Sequence, residues 1–160
     1  MKTMIKLSLA VAIIVFSAFA VLGQTAGKPN PDYDADLAKK LGGNDNGLKS
    51  YVLVVLKTGP NDASIKGEER TEAFQGHFAN IKKLANEGKM AIAGPFGKND
   101  KSFRGLFILN TTSLDEARSW TEADPTVKSG IFVVDYIPWF GSASLMATYE
   151  IHKKISKTIE

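Results

Sequence analysis

Cysteine is absent from the 160 residues. Its absence excludes disulfides, thiolate metal sites, cysteine nucleophiles and a lipid-modified cysteine anchor. Histidine is nearly absent as well, and His77 and His152 alone leave little for a histidine-rich metal centre. Charge is close to balanced, with 20 Lys+Arg against 17 Asp+Glu and a net +3. The cations form no block, whereas nucleic-acid binders concentrate basic charge on one face, so no nucleic-acid partner is expected. Long apolar runs are missing except for one, Leu7–Leu22, which follows Lys2 and Lys6. As helix that run reaches about 24 Å, short of the roughly 30 Å hydrocarbon core of a bilayer. Ala18-Phe19-Ala20 and Val21-Leu22-Gly23, the latter just before Gln24, are small-residue cleavage options. Residues 1–23 therefore read as a signal peptide, with a periplasmic or secreted destination and no stable membrane insertion after its removal. Without that acid-free leader the net charge is +1, an ordinary balance for one globular domain.

Residues 24–48 are polar and rich in turn formers, and read as a loosely attached N-terminal arm with a short helix over Asp34–Leu41, capped by Asp32 or Asp34. The folded domain is expected over 49–140. Tyr51–Leu56 is a continuous apolar, β-branched run ending at Thr58-Gly59-Pro60, the pattern of a central strand. Ile65–Glu87 reads as a helix, with Phe74, His77, Phe78, Ile81, Leu84 and Ala85 as its core stripe and Gly88 ending it. Met90–Ala93 and Gly105–Asn110 form a hairpin around Gly94-Pro95 and Gly97–Lys101. Ser113 and Glu116 make a capping box for a second helix from Leu114, which must stop by Asp124, before Pro125. Ile131–Ile137 is a last strand, closed by Pro138-Trp139. The tail, 141–160, repeats Ile151, Ile155 and Ile159 at i+4, and a helix or an extended arm across a partner both remain open. The order is β-α-β-β-α-β, an α+β ferredoxin-like (split βαβ) plan with one antiparallel sheet carrying both helices on one face. The strands are apolar on both sides, so the bare face needs a cover, and a second copy supplies it: a homodimer is expected.

Tyr51–Trp139 resembles the YciI-like (YCII-related) domain family. The carrying residues are Gly59-Pro60 after the first strand, His77 midway along the first helix and Gly88 at its end. They continue through Gly94-Pro95, Gly105, Glu116-Ala117, Asp124-Pro125 and Pro138-Trp139. The resemblance implies a ferredoxin-like fold paired into a dimeric α+β barrel. It further implies a histidine–aspartate pair in a pocket. Relatives on the same barrel include muconolactone isomerase-like proteins and dehydrochlorinases, whose acid–base chemistry needs no metal. The arm and the tail lie outside the resemblance.

On this reading His77 is the general base or acid and Asp124 orients it and fixes its tautomer. Taken alone, His77 on an apolar stripe is equally a core residue hydrogen-bonded to backbone, and Asp124 a turn former before Pro125. Asp124 in the last turn of a helix meets the negative end of the dipole, which a nearby imidazolium offsets. Arg104, with Lys98 and Lys101, would draw an anionic small molecule to a pocket rim, or else form the solvated face of a turn. Trp139 would line the pocket mouth or plug the core, and Gly94-Pro95 would bring backbone close to the cavity. Gly59-Pro60-Asn61-Asp62 has no lysine and is no phosphate loop. No cofactor and no metal are expected. Two functions remain: a small-molecule lyase or isomerase using a metal-free His77–Asp124 dyad, or a non-catalytic ligand-binding or dimeric assembly module of the cell envelope.

Overall fold

The computed structural model describes residues 28–158. The apolar leader and both cleavage options lie outside the described residues. Tyr33 closes a turn onto Asn30, and from Asp34 onward the chain forms one unit.

That unit begins with α1 (Ala35–Leu41), whose N-cap Asp34 accepts the amide of Leu37. Then come β1 (Leu48–Thr58), α2 (Gly67–Asn86), β2 (Met90–Pro95) and β3 (Phe103–Leu109). They are followed by α3 (Leu114–Glu122), α4 (Pro125–Lys128), β4 (Phe132–Ser142), a short 3-10 helix (Ala143–Ala147) and α5 (Thr148–Ile155). The four strands make an antiparallel sheet in the order β2-β3-β1-β4, the split βαβ arrangement expected from the element order.

One face of the sheet carries the main core. Val52, Val54 and Leu56 of β1, Phe107 and Leu109 of β3, and Val134 and Tyr136 of β4 pack against Ala73, Leu84 and Ala117 of the helices. Gly88 ends α2 in the left-handed conformation, with the amide of Lys89 returning to Leu84 O at 2.9 Å, so the helix stops where its glycine lies.

The structure departs from the sequence reading at five places. Phe78 leaves the core stripe and is 63 % exposed; Ala73, on the opposite flank of the stripe, is buried instead. The expected capping box of α3 is half formed: Ser113 Oγ accepts the Glu116 amide, but the Glu116 carboxylate takes the Thr111 hydroxyl. Asp124 does not end α3 but starts α4, a helix hidden in a four-residue stretch. β4 runs through Pro138-Trp139 to Ser142. A proline fits there because β4 is the sheet's edge strand, so the amide it lacks is not needed by a neighbour on the outer side. The end of the arm is tied down rather than loose: β1 begins at Leu48, and Gly47 O accepts the amide of Ala143 at 2.8 Å.

The second sheet face is not wholly bare. Leu145 and Met146 of the 3-10 helix pack on Tyr51, Ala91 and Ile108. The β4 half of that face stays open, with Val133, Ile137 and Trp139 exposed. No helix among the described residues is long and apolar enough to cross a membrane.

Candidate functional site

α2 turns His77 inward over the sheet, where only 7 % of it remains exposed. Its ring stacks on Phe107 at 5.9 Å and meets the edges of Phe74, Phe78 and Phe132 at 6.0, 5.4 and 5.8 Å. Asp124 comes from the N-cap of α4 and is wholly buried. The two side chains meet: His77 Nδ1 lies 2.7 Å from Asp124 Oδ2. The other carboxylate oxygen accepts the Thr126 amide at 2.9 Å and the Thr126 hydroxyl at 2.6 Å. The hydroxyl oxygen itself sits 3.3 Å from Nδ1, so the Nδ1 proton is shared between carboxylate and hydroxyl.

Burial, the largest single influence on Asp124, pushes its carboxyl up. The hydrogen bonds from His77 and Thr126, with the charge of His77, outweigh it and hold the group below the usual carboxylate range. An ionised carboxylate only accepts, so Nδ1 carries a proton, and it is the Nε2 lone pair that is free in the neutral ring. Among the described residues Nε2 has no partner, and no fully buried side-chain nitrogen or oxygen lacks one. The small exposure of His77 therefore includes Nε2. The arrangement is an oriented imidazole with one ring nitrogen open.

The expected helix-end electrostatics are corrected here. Asp124 stands at the start of a helix and takes an amide proton, so no unfavourable dipole needs offsetting. Two contributors had no clear advance signal. Thr126 is fully buried and braces the carboxylate. Asp-Pro-Thr is a helix-start pattern, with Asp at the cap and Pro at the first position, and could have pointed to it. Gly76 has no such signature. A Cβ there would stand 2.5 Å from Pro125 Cγ, so the glycine lets α4 approach α2 where His77 and Asp124 are the adjoining residues. Gly76→Ala should push α4 outward, lowering stability by about 1–3 kcal/mol and lengthening the His77–Asp124 bond. Thermal unfolding and the Nδ1–H proton signal in NMR would measure both; an unshifted signal would contradict the spacer role.

The remaining expected residues divide. Arg104 is the extra residue where the β1–β3 register slips between Leu56 and Lys57. Its guanidinium lies 5.9 Å from the Phe132 ring and 3.6 Å from Asp62, which Arg70 holds at 2.8 Å. Arg70 in turn covers Phe74 at 5.1 Å. Two cations and one carboxylate thus stand over two aromatic neighbours of His77. Trp139 is not part of this site. It projects from the opposite sheet face with its ring 5.8 Å from Tyr51, because β4 alternates and Phe132, Val134 and Tyr136 hold the helix side. Gly94 and Pro95 end β2, exposed, and line neither principal cavity. Neither cavity is lined by His77 or Asp124. Among the described residues no three His, Cys, Asp or Glu gather as a metal site would need.

The chain is similar to Protein YciI of Escherichia coli O6:H1 and to its counterpart in Shigella flexneri. Each is 32 % identical over 72 residues, covering 41 % of this chain and 74 % of the relative. A solved structure, 5-chloro-2-hydroxyhydroquinone dehydrochlorinase (TftG) from Burkholderia phenoliruptrix AC1100 with 2,5-dihydroxybenzoquinone, matches at 27 % identity and a TM-score of 0.40 over 56 % of this chain and 92 % of that one. The model of the YCII-related domain matches residues 51–140, the stretch that holds the sheet, both long helices and the His77–Asp124 pair, and the chain belongs to that family.

Proposed function

We propose that the protein is a small-molecule lyase or isomerase in which His77 moves a proton without a metal. The observation that carries this reading is the buried imidazole held at 2.7 Å by a carboxylate whose other oxygen is fully occupied. Such bracing fixes the tautomer and stabilises the imidazolium that forms. In the step proposed, Nε2 takes a proton from a substrate carbon. The electron pair left behind forms a double bond and expels a leaving group, or the proton returns at another carbon. Arg104 and Arg70, beside Phe132 and Phe74, favour a planar, anionic substrate. The leader supports export to the periplasm or beyond, and the open β4 half of the second sheet face supports a homodimer closed sheet to sheet.

Proton abstraction can be tested before the substrate is known. In D2O, with a pool of small unsaturated and keto acids, the wild-type chain should catalyse exchange of a carbon-bound hydrogen for deuterium in at least one member. His77→Gln should reduce that exchange by about 100-fold or more. No exchange above buffer with the wild type, or exchange that survives in His77→Gln, would leave a binding module in place of an enzyme. The absence of the dyad from both principal cavities is the observation that favours that second reading.

A further inference from the structure

The larger cavity is not the dyad's. It is a half-open groove of about 680 Å³ between α2, β2 and α5. Phe78, Ile81 and Ala85 form one wall and Ile92 and Ala93 the floor, with α5 opposite. The α5 wall is fixed, since the Tyr149 hydroxyl donates to Asn86 Oδ1 at 2.9 Å, tying the tail helix to the end of α2. Phe78, which leaves the interior, stands exposed in this groove. The charged and titratable side chains that line the groove are all potential cations or neutral: Lys82, Lys153, His152 and the Tyr149 phenol. Among the described residues no carboxylate lines it. Lys153 is partly engaged by Glu150 at 2.6 Å, whereas Lys82 has no ion-pair partner among the described residues.

An apolar slot of this size, within the roughly 300–1,000 Å³ of small-molecule sites, is usually oriented by a few polar groups at its edge. Here those groups are of one sign. We propose that the groove binds a single-chain amphipathic carboxylic acid, its aliphatic part along Phe78, Ile81, Ala85 and Ile92 and its carboxylate at Lys82 and His152. The site is distinct from the proposed chemistry, since it uses neither His77 Nε2 nor Asp124, although Phe78 borders both; one of its walls is the tail helix, which lies outside residues 51–140.

The test is calorimetric titration of the full chain with decanoate, decanol and decylamine. Decanoate should bind, and decylamine should bind at least about tenfold more weakly, since it loses the charge-assisted contacts and meets like charge. Lys82→Glu should weaken decanoate by about tenfold, and Ala85→Trp, which fills the slot, should abolish its binding. His77→Gln should leave decanoate binding unchanged whatever it does to exchange, so failure of the catalytic reading and failure of this one are told apart. Equal binding of the three ligands, or decanoate binding that survives both Lys82→Glu and Ala85→Trp, would assign the affinity to apolar surface elsewhere and overturn the proposal. Absence of decanoate binding up to its solubility limit would overturn it too.

Discussion

Asp124→Asn is expected to keep the fold and lose the chemistry. The Asn carbonyl can replace Oδ1 as acceptor for the Thr126 amide and hydroxyl, because these two donors fix which way the group faces. Its amide then points at His77 Nδ1, where the wild type has an acceptor. An amide N–H donates, so Nδ1 must become the acceptor and the ring proton moves to Nε2. The open nitrogen changes from base to donor. Exchange in D2O should fall by roughly 10²–10⁴-fold, the range expected when a general base is mis-protonated. Nitrogen NMR of the neutral ring should report Nδ1–H in the wild type and Nε2–H in the variant. Stability should respond to pH as well. Asp124 titrates below the usual carboxylate range in the folded chain. Its contribution is therefore complete above the unfolded value of about 3.9 and is lost as pH falls through the folded one. The Asn variant lacks that dependence, so its acid unfolding curve should be flatter below about pH 4. An unchanged tautomer with unchanged exchange would reduce the pair to a packing contact.

The parts of this site that were legible in the sequence are those set by local pattern. A β-branched run marks β1, and Gly88 marks the end of α2, because strand burial and left-handed caps depend on few neighbours. His77 and Asp124 lie 47 positions apart, and no periodicity relates them; it was the family resemblance that paired them. What brings them together is Gly76 against Pro125, a fit between two elements rather than a property of either. Phe78 illustrates the opposite failure. Its i+4 spacing from Phe74 is right for a core stripe, but periodicity fixes a direction and not the width of the face that is covered. Pro138 has the local signature of a strand stop, whereas at an edge it costs no ladder bond. α4 is too short for any periodic signal, and its Asp-Pro-Thr start also fits the end of the helix before it.

Ile137→Asp is expected to convert a dimer into monomers. Along β4, Val133, Asp135, Ile137 and Trp139 point away from the helices; the Asp135 carboxylate is held by Lys57 at 2.7 Å, and the three apolar residues pair in the sheet with Lys57, Leu53 and Tyr51 of β1. Ile137 is 44 % exposed at the middle of this row. The intramolecular cover from Leu145 and Met146 reaches Tyr51, Ala91 and Ile108 but leaves the row open. A second copy related by a two-fold axis would set the same row against itself, and an obligate interface of this kind commonly buries more than about 2,000 Å². A carboxylate placed in its centre is desolvated against its own copy, which costs several kcal/mol per dimer and raises the dissociation constant by about 1,000-fold or more. Sedimentation at micromolar concentration should therefore find wild-type dimer and Ile137→Asp monomer, both folded by circular dichroism. Ile155 of α5, 75 % exposed, is the control. If Ile155→Asp dissociates the dimer and Ile137→Asp does not, the tail helix makes the interface and the sheet face is left uncovered. A wild-type monomer at that concentration would remove the sheet-to-sheet barrel altogether, because among the described residues nothing covers Ile137.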